Sequence, residues 1–224
     1  MNASSGVLPQ LERVIVYVDG FNLYYGLKSS SLRRFYWLDL ALLCERLCLS
    51  TQRLVRANYF TSRVSGGKPT DSPSRRKDKD ESRARQTAYL DVLAEMPNLR
   101  IREGQFLEKQ RSCAQCRAVA TVSEEKMTDV LIATTLMVDA CQDDFDTAIV
   151  VSGDSDLCPP IEQVIDLYGK RVVVAFPPGR SSSRLKSCAS AFFVISENNL
   201  RNSQLPSTVA LRSGRSISRP ACWS

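Results

Sequence analysis

Two short apolar runs, each stopping at an acidic residue, constrain this chain more than any other feature. Val14-Ile15-Val16-Tyr17-Val18 ends at Asp19-Gly20, and Ala148-Ile149-Val150-Val151 ends at Ser152-Gly153-Asp154-Ser155-Asp156. A run with no polar alternation fits a strand buried on both faces, as in the middle of a parallel sheet. Further strands are expected over 54–61, 99–106, 171–176 and 191–195. Helical spacing is read over 21–28, 37–49, 86–96, 125–141, 161–167 (capped by Gly169) and 183–189. Strands alternating with helices predict an α/β fold: a central parallel sheet flanked by helices, joined by right-handed crossovers.

Between these elements the composition changes. Residues 62–85 are rich in Ser, Gly, Pro, Lys and Arg without apolar periodicity, which predicts a basic mobile loop inside the domain of residues 13–200. Residues 107–123 carry Cys113-Ala-Gln-Cys116 on what reads as a hairpin excursion. Residues 1–12 read as a flexible leader, and 201–224, poor in apolar residues, as a disordered tail. With 43% hydrophobic residues the chain can bury a core, yet no run approaches the about 18 apolar residues of a membrane span. Scattered cysteines and the lack of a secretory leader point to a cytoplasmic protein with no membrane partner.

The chain has no histidine. That excludes Ser-His-Asp and Cys-His catalysis, histidine-ligated zinc and imidazole general bases together. Ligands of an open parallel sheet bind at the carboxyl ends of its strands, which is where Asp19, Asp154 and Asp156 fall; Asp129 lies in the first turn of a helix. Carboxylates gathered at one edge repel one another, and a hard divalent cation relieves this. Mg2+ or Mn2+ prefers oxygen ligands and keeps several waters, so Asp19, Asp129, Asp154 and Asp156 form a candidate metal set. The alternative at each position is a turn residue or helix cap, and Asp154 and Ser155 have the right place to cap the helix that follows.

Three segments, Val18-Asp19-Gly20-Phe21-Asn22-Leu23, Glu125-Lys126-Met127-Thr128-Asp129-Val130 and Val151-Ser152-Gly153-Asp154-Ser155-Asp156-Leu157, resemble in order and spacing the signatures of the NYN domain. That family belongs to the PIN-like metal-dependent ribonucleases, and the resemblance covers residues 13–196. It implies a three-layer fold, hydrolysis of RNA phosphodiesters with Mg2+ or Mn2+, and Asp19, Asp129, Asp154 and Asp156 as the metal-binding, catalytic set. Asn22 resembles the polar partner beside the first acid, Ser152 the small hydroxyl residue at the strand end, and Lys126 the basic residue before the helix acid. One departure is visible: a further acid about two turns after the helix aspartate is replaced by Thr135, with Asp139 one turn beyond. The resemblance therefore leaves two readings: a ribonuclease, or an NYN module that binds RNA or protein without cutting.

A carboxylate pocket repels phosphate, so cations are expected around it. Arg75, Arg76 and Lys77 in the 62–85 segment, and Arg180, Arg184 and Lys186 after Pro177-Pro178-Gly179, are the candidate nucleic-acid contacts. The first group is also explained as a solvated loop balanced by Asp71, Asp78, Asp80 and Glu81. Phe21, Tyr24 and Tyr25 follow the first acid; Tyr24 is placed to stack on a base, whereas Phe21 and Tyr25 share a face that core packing would use. Cys113 and Cys116 supply half of a zinc site, and without a second CxxC or a histidine they read rather as a reduced or redox-labile pair. A phosphatase of another α/β family is disfavoured because Asp19-Gly20-Phe21-Asn22 is not a DxD motif. The sequence leaves a homodimer or a protein partner open.

Overall fold

The computed structural model describes residues 10–112, 115–116 and 119–223, with side chains at all of these except 106–112 and 119–126. In chain order the elements are β1 (Glu12–Asp19), α1 (Gly20–Ser29), α2 (Leu40–Leu47), β2 (Gln52–Thr61), α3 (Pro73–Leu93), β3 (Leu99–Glu103) and a hairpin of β4 (Gln105–Ser112) and β5 (Val119–Lys126). There follow α4 (Thr128–Cys141), β6 (Thr147–Val151), α5 (Cys158–Tyr168), β7 (Arg171–Phe176), α6 (Ser183–Cys188), β8 (Ala191–Val194) and α7 (Glu197–Arg201). A small hairpin of β9 (Thr208–Ala210) and β10 (Ser216–Ser218) comes last.

Six strands make one sheet in the order β3-β2-β1-β6-β7-β8, and every neighbouring pair is parallel. The alternation along β1 explains its unbroken apolar run. Val14, Val16 and Val18 enter a core with Leu23, Leu27, Leu43 and Leu93 of α1, α2 and α3. Ile15 and Tyr17 enter the opposite core with Ile132 and Leu136 of α4 and Ile161 and Val164 of α5. Both faces of the strand are covered between Val14 and Val18, so those five positions are apolar. The α/β expectation and its flanked parallel sheet hold.

From β1 the chain steps outward through β2 to β3, then returns to lay β6 on the other side of β1. The β1–β6 boundary is therefore the switch in strand order, where an open sheet leaves a crevice at its carboxyl edge. Val18 pairs with Val151, so the next residues, Asp19 and Ser152, leave the sheet side by side.

The 62–85 segment departs from its reading as a mobile loop. From Pro73 it is the first half of α3, which runs for 21 residues. The Ser72 hydroxyl accepts the Arg75 N–H, and Pro73 occupies the first turn, where its missing N–H costs nothing. Lys77 and Arg85 flank Glu81 at one-turn spacing, 4.0 and 3.5 Å away. Only the last turns, through Tyr89, Leu90, Val92 and Leu93, are buried, so an apolar stripe exists only there. The helix expected over 125–141 begins at Thr128, because Glu125 and Lys126 close β5. The leader lies outside the described residues up to position 9.

Residues 201–224, read as a disordered tail, are folded as far as Trp223. The Leu205 N–H donates to the Trp37 carbonyl (3.0 Å), the Asp39 N–H to the Ser203 carbonyl (2.9 Å) and the Trp37 indole to the Pro206 carbonyl (2.8 Å). Trp223 packs against Tyr36, Trp37 and Tyr89 with ring centroids 5.8–6.1 Å apart. A few apolar anchors and backbone hydrogen bonds to a distant segment order this stretch, and neither leaves a local periodicity. No described helix is long and apolar enough to cross a membrane.

Candidate functional site

Asp19 is the last residue of β1 and caps α1. It is 2% exposed. Its Oδ1 accepts the Asn22 N–H at 2.9 Å, and its Oδ2 accepts both the Asn22 Nδ2 at 2.7 Å and the Ser152 Oγ at 3.0 Å. Three donors fill three of the about four lone-pair directions of a carboxylate, which leaves one on Oδ1. Burial raises the Asp19 pKa above the ordinary aspartate value; the three hydrogen bonds oppose that, and the nearby Asp154 adds to it. The site thus holds one carboxylate in a place that favours neutralising it, and a bound cation does so as well as a proton.

Ser152 is fully buried at the end of β6 and passes the connection on, since its Oγ accepts the Asp154 N–H at 3.1 Å. The Asn22 Oδ1 accepts the Gly153 N–H at 3.2 Å, so one asparagine ties the β1 turn to the β6 turn. Asp154 is half-buried and caps a short 3-10 turn, Ser155–Leu157, by accepting the Asp156 N–H at 3.0 Å. Asp156 is exposed on that turn. Asp129 is half-buried in the first turn of α4, and α4 packs against the same 3-10 turn. The Lys126 side chain lies outside the described residues, as does Cys113.

Among the described residues, no three carboxylates or thiols converge closely enough to hold an ion by protein ligands alone. Mg2+ is commonly held by one or two carboxylates with water completing its shell. Asp154 lies near enough to Asp19 to raise its pKa, and Asp156 follows on the same 3-10 turn.

Two glycines give this corner its closeness. A Cβ on Gly20 would lie 2.6 Å from the Phe60 carbonyl oxygen and 2.8 Å from the Tyr59 ring, so only glycine lets the chain turn from Asp19 into α1 against β2. A Cβ on Gly153 would lie 3.0 Å from the Arg180 Cβ. The Pro177-Pro178-Gly179 turn is pressed against Gly26 of α1, and Gly179 takes a φ of 68° that favours glycine. The Arg180 stem is thereby wedged between α1 and the Asp154 turn, while the residue as a whole is exposed. In the sequence Gly20 and Gly153 stand only as letters of two motifs; their spatial role is defined by neighbours across the sheet.

The other expected cations are placed differently. The Lys186 Nζ sits over the rings of Phe176 and Phe192, 5.7 and 5.3 Å from their centroids, and Arg184 is exposed on α6. Arg75 faces Asp71 at 3.5 Å, Arg76 donates to the Lys68 and Pro69 carbonyls, and Lys77 faces Glu81. These three occupy the outer turns of α3. Asp139 is no substitute for the acid replaced by Thr135. It is 4% exposed, accepts the Tyr17 hydroxyl at 2.7 Å and pairs with Arg56 at 2.8 Å, all inside the α4 core.

The sequence matches the NYN domain over residues 13–197, most of the chain. The chain belongs to the NYN-domain family. NYN domains are part of the PIN-like superfamily, a nuclease-like group whose members typically use divalent metals, and the six-stranded parallel sheet fits that fold. The chain is also similar to 6-hydroxy-3-succinoylpyridine 3-monooxygenase HspA of Pseudomonas putida (strain DSM 28022 / S16). The two are 26% identical over 195 residues, covering 74% of this chain and 59% of that protein, so the chain spans about three fifths of the relative's length. Among solved structures it is similar to a protein of unknown function from Vibrio parahaemolyticus RIMD 2210633. The TM-score is 0.49 and the identity 19%, with 88% of this chain and 98% of that one covered. In this NYN domain the first and third motifs meet at the β1–β6 switch point through Asp19, Asn22 and Ser152, and the second reaches the same edge from the start of α4.

Proposed function

We propose that this NYN domain is a divalent-metal-dependent endoribonuclease acting on single-stranded or structured RNA in the cytoplasm. The observation that carries the reading is Asp19: a carboxylate 2% exposed, oriented by three donors, opposed by Asp154 and opening on the sheet's switch point. Asp19 and Asp154, with Asp156 and Asp129 beside them, would hold Mg2+ or Mn2+. When bound, the ion supplies a water of lowered pKa and neutralises charge that builds on the phosphate. Ser152 and Asn22 keep the Asp19 carboxylate aimed by filling its other lone pairs. Arg180, wedged beside Gly153, holds the phosphate against the repulsion of the acids, and Arg184 and Lys186 extend the positive edge along α6. Arg75, Arg76 and Lys77 contribute long-range attraction from the outer end of α3.

The test incubates the protein with labelled single-stranded RNA and the matching DNA, in Mn2+, Mg2+ or EDTA, beside Asp19→Asn and Asp154→Asn variants. Cleavage of RNA that needs metal and vanishes in both folded variants is expected. Thr135 favours a second reading, because it is 8% exposed where the family pattern has a further acid, and Asp139 is committed elsewhere. On that reading the domain binds RNA, or a protein or second copy, without cutting. Salt-sensitive RNA binding with no cleavage in any metal would select it.

A further inference from the structure

Beside the acidic edge lies a cavity of about 260 Å3 that the catalytic reading leaves unused. Gly20, the neighbour of Asp19, forms part of its wall, so the two sites are one residue apart along the chain. Its walls are aromatic: Tyr24, Tyr25, Tyr36, Tyr59, Tyr89 and Trp223. The Tyr24 ring is 5.3 Å from Tyr25 and 5.0 Å from Tyr36, and Trp223 stands edge-on to Tyr36 at 5.8 Å. Packing alone accounts for Tyr59 and Tyr89, which are buried. It does not account for Tyr24 and Tyr25, which are 40% and 45% exposed at the mouth.

The polar groups narrow the guest. Tyr36 is 8% exposed, and its hydroxyl lies against Tyr24 and Arg33. Lys28 lies about 6 Å from the Tyr24 and Tyr25 ring centroids, and Arg85 of α3 lines the same space. No carboxylate lines it among the described residues. An aromatic cage for a cation would not carry two cations of its own. Aromatic walls with lysine and arginine suit a flat ring attached to an anion. The volume is below the about 300–1,000 Å3 typical of drug-sized ligands, so one ring system fits and a dinucleotide cofactor does not.

We propose that this cavity receives one unstacked nucleobase of a single-stranded RNA, held against Tyr24 and Tyr25, while Lys28 and Arg85 take its flanking phosphates. The base pocket would fix which phosphodiester lies over Asp19 and Asp154. The choice of RNA as the source of the base rests on the ribonuclease reading; the aromatic cavity itself does not.

Binding is measured in EDTA, apart from any metal-dependent cleavage, with a fluorescein-labelled single-stranded RNA, an abasic strand of the same length, and free AMP. Wild type is compared with Tyr24→Ala and Tyr24→Phe, whose melting temperatures are checked first. Base–aromatic stacking is worth about 1–3 kcal/mol, so Tyr24→Ala should weaken RNA binding by roughly 5- to 150-fold. Tyr24→Phe should restore most of it. The abasic strand should bind wild type weakly and lose nothing more on Tyr24→Ala, as expected when one contact is removed from both sides. If wild type binds both strands equally, or Tyr24→Ala binds RNA normally, the base pocket is refuted while salt-sensitive binding and cleavage keep the ribonuclease reading. If AMP binds tightly and RNA does not, the guest is a free nucleotide and the RNA source is wrong. If no RNA binds, both readings fall.

Discussion

Replacing Asp19 by asparagine separates two roles that the same side chain could fill. Asparagine caps a helix about as well as aspartate, so the start of α1 is kept and chiefly the charge is lost. The Asn22 N–H retains its acceptor, Ser152 can turn its hydroxyl, and Asn22 is exposed enough for its amide to reach water. Burial holds the Asp19 pKa above that of an unfolded aspartate, about 3.9. Between that value and the raised one, the folded state binds more protons than the unfolded. In metal-free protein this group therefore contributes most below about pH 4, and its contribution falls as pH rises through the raised value. Asp19→Asn in EDTA should melt at or above the wild-type temperature at pH 7, with that pH slope removed. Metal reverses the order. At a hundredfold excess over its Kd, a ligand of the folded state adds about 2.7 kcal/mol. At roughly 2–4 °C per kcal/mol for a chain of this size, wild type should gain about 5–10 °C in Mn2+. The variant should gain little. Scanning calorimetry of both proteins in EDTA and in a Mn2+ series makes the comparison. A variant that melts several degrees lower in EDTA and responds to Mn2+ as wild type does would make Asp19 a structural cap and remove it from the metal site.

Other outcomes follow from the same structure. Asp139→Asn removes the nearer partner of Arg56, which keeps Asp144 at 3.5 Å, and should cost about 1–3 kcal/mol in urea unfolding while RNA cleavage well below the transition persists; lost cleavage at unchanged stability would return Asp139 to the active set. Gly20→Ala forces a Cβ to within 2.6 Å of the Phe60 carbonyl and should destabilise by about 1–3 kcal/mol, read as a lower urea midpoint at constant slope. Trp223→Ala should lower stability by about 1–2 kcal/mol, less than the about 3–5 kcal/mol of a fully buried tryptophan, because Trp223 is only half-buried; no change in Tm would mean the C-terminal segment does not hold the aromatic cluster together. Arg180→Ala should raise KM for RNA more than it alters kcat, and should flatten the salt dependence of binding by about one counterion.

Much of this protein is written in local pattern. The apolar runs at Val14–Val18 and Ala148–Val151 fit doubly buried strands, and an acid placed just after such a strand emerges at the carboxyl edge. The sheet, its flanking helices and the edge carrying Asp19 and Asp154 were legible for that reason, and the NYN motifs name the family. Tertiary structure decided what depends on partners distant in sequence. The outer turns of α3 face solvent, so nothing periodic marks them as helix; their stability comes from the Ser72 cap and ion pairs around Glu81. The C-terminal segment is ordered by hydrogen bonds to Trp37 and Asp39, some 165 residues earlier, and by Trp223 lodging among aromatics. Asp139 looks like a spare acid on α4 until Tyr17 and Arg56 are seen to claim it. Burial of Asp19 and the wedging of Arg180 against Gly153 likewise exist only once β1, β6 and the β7–α6 turn meet. Periodicity fixes which face of an element is apolar, whereas charge pairing and close approach across the fold depend on which other element arrives there.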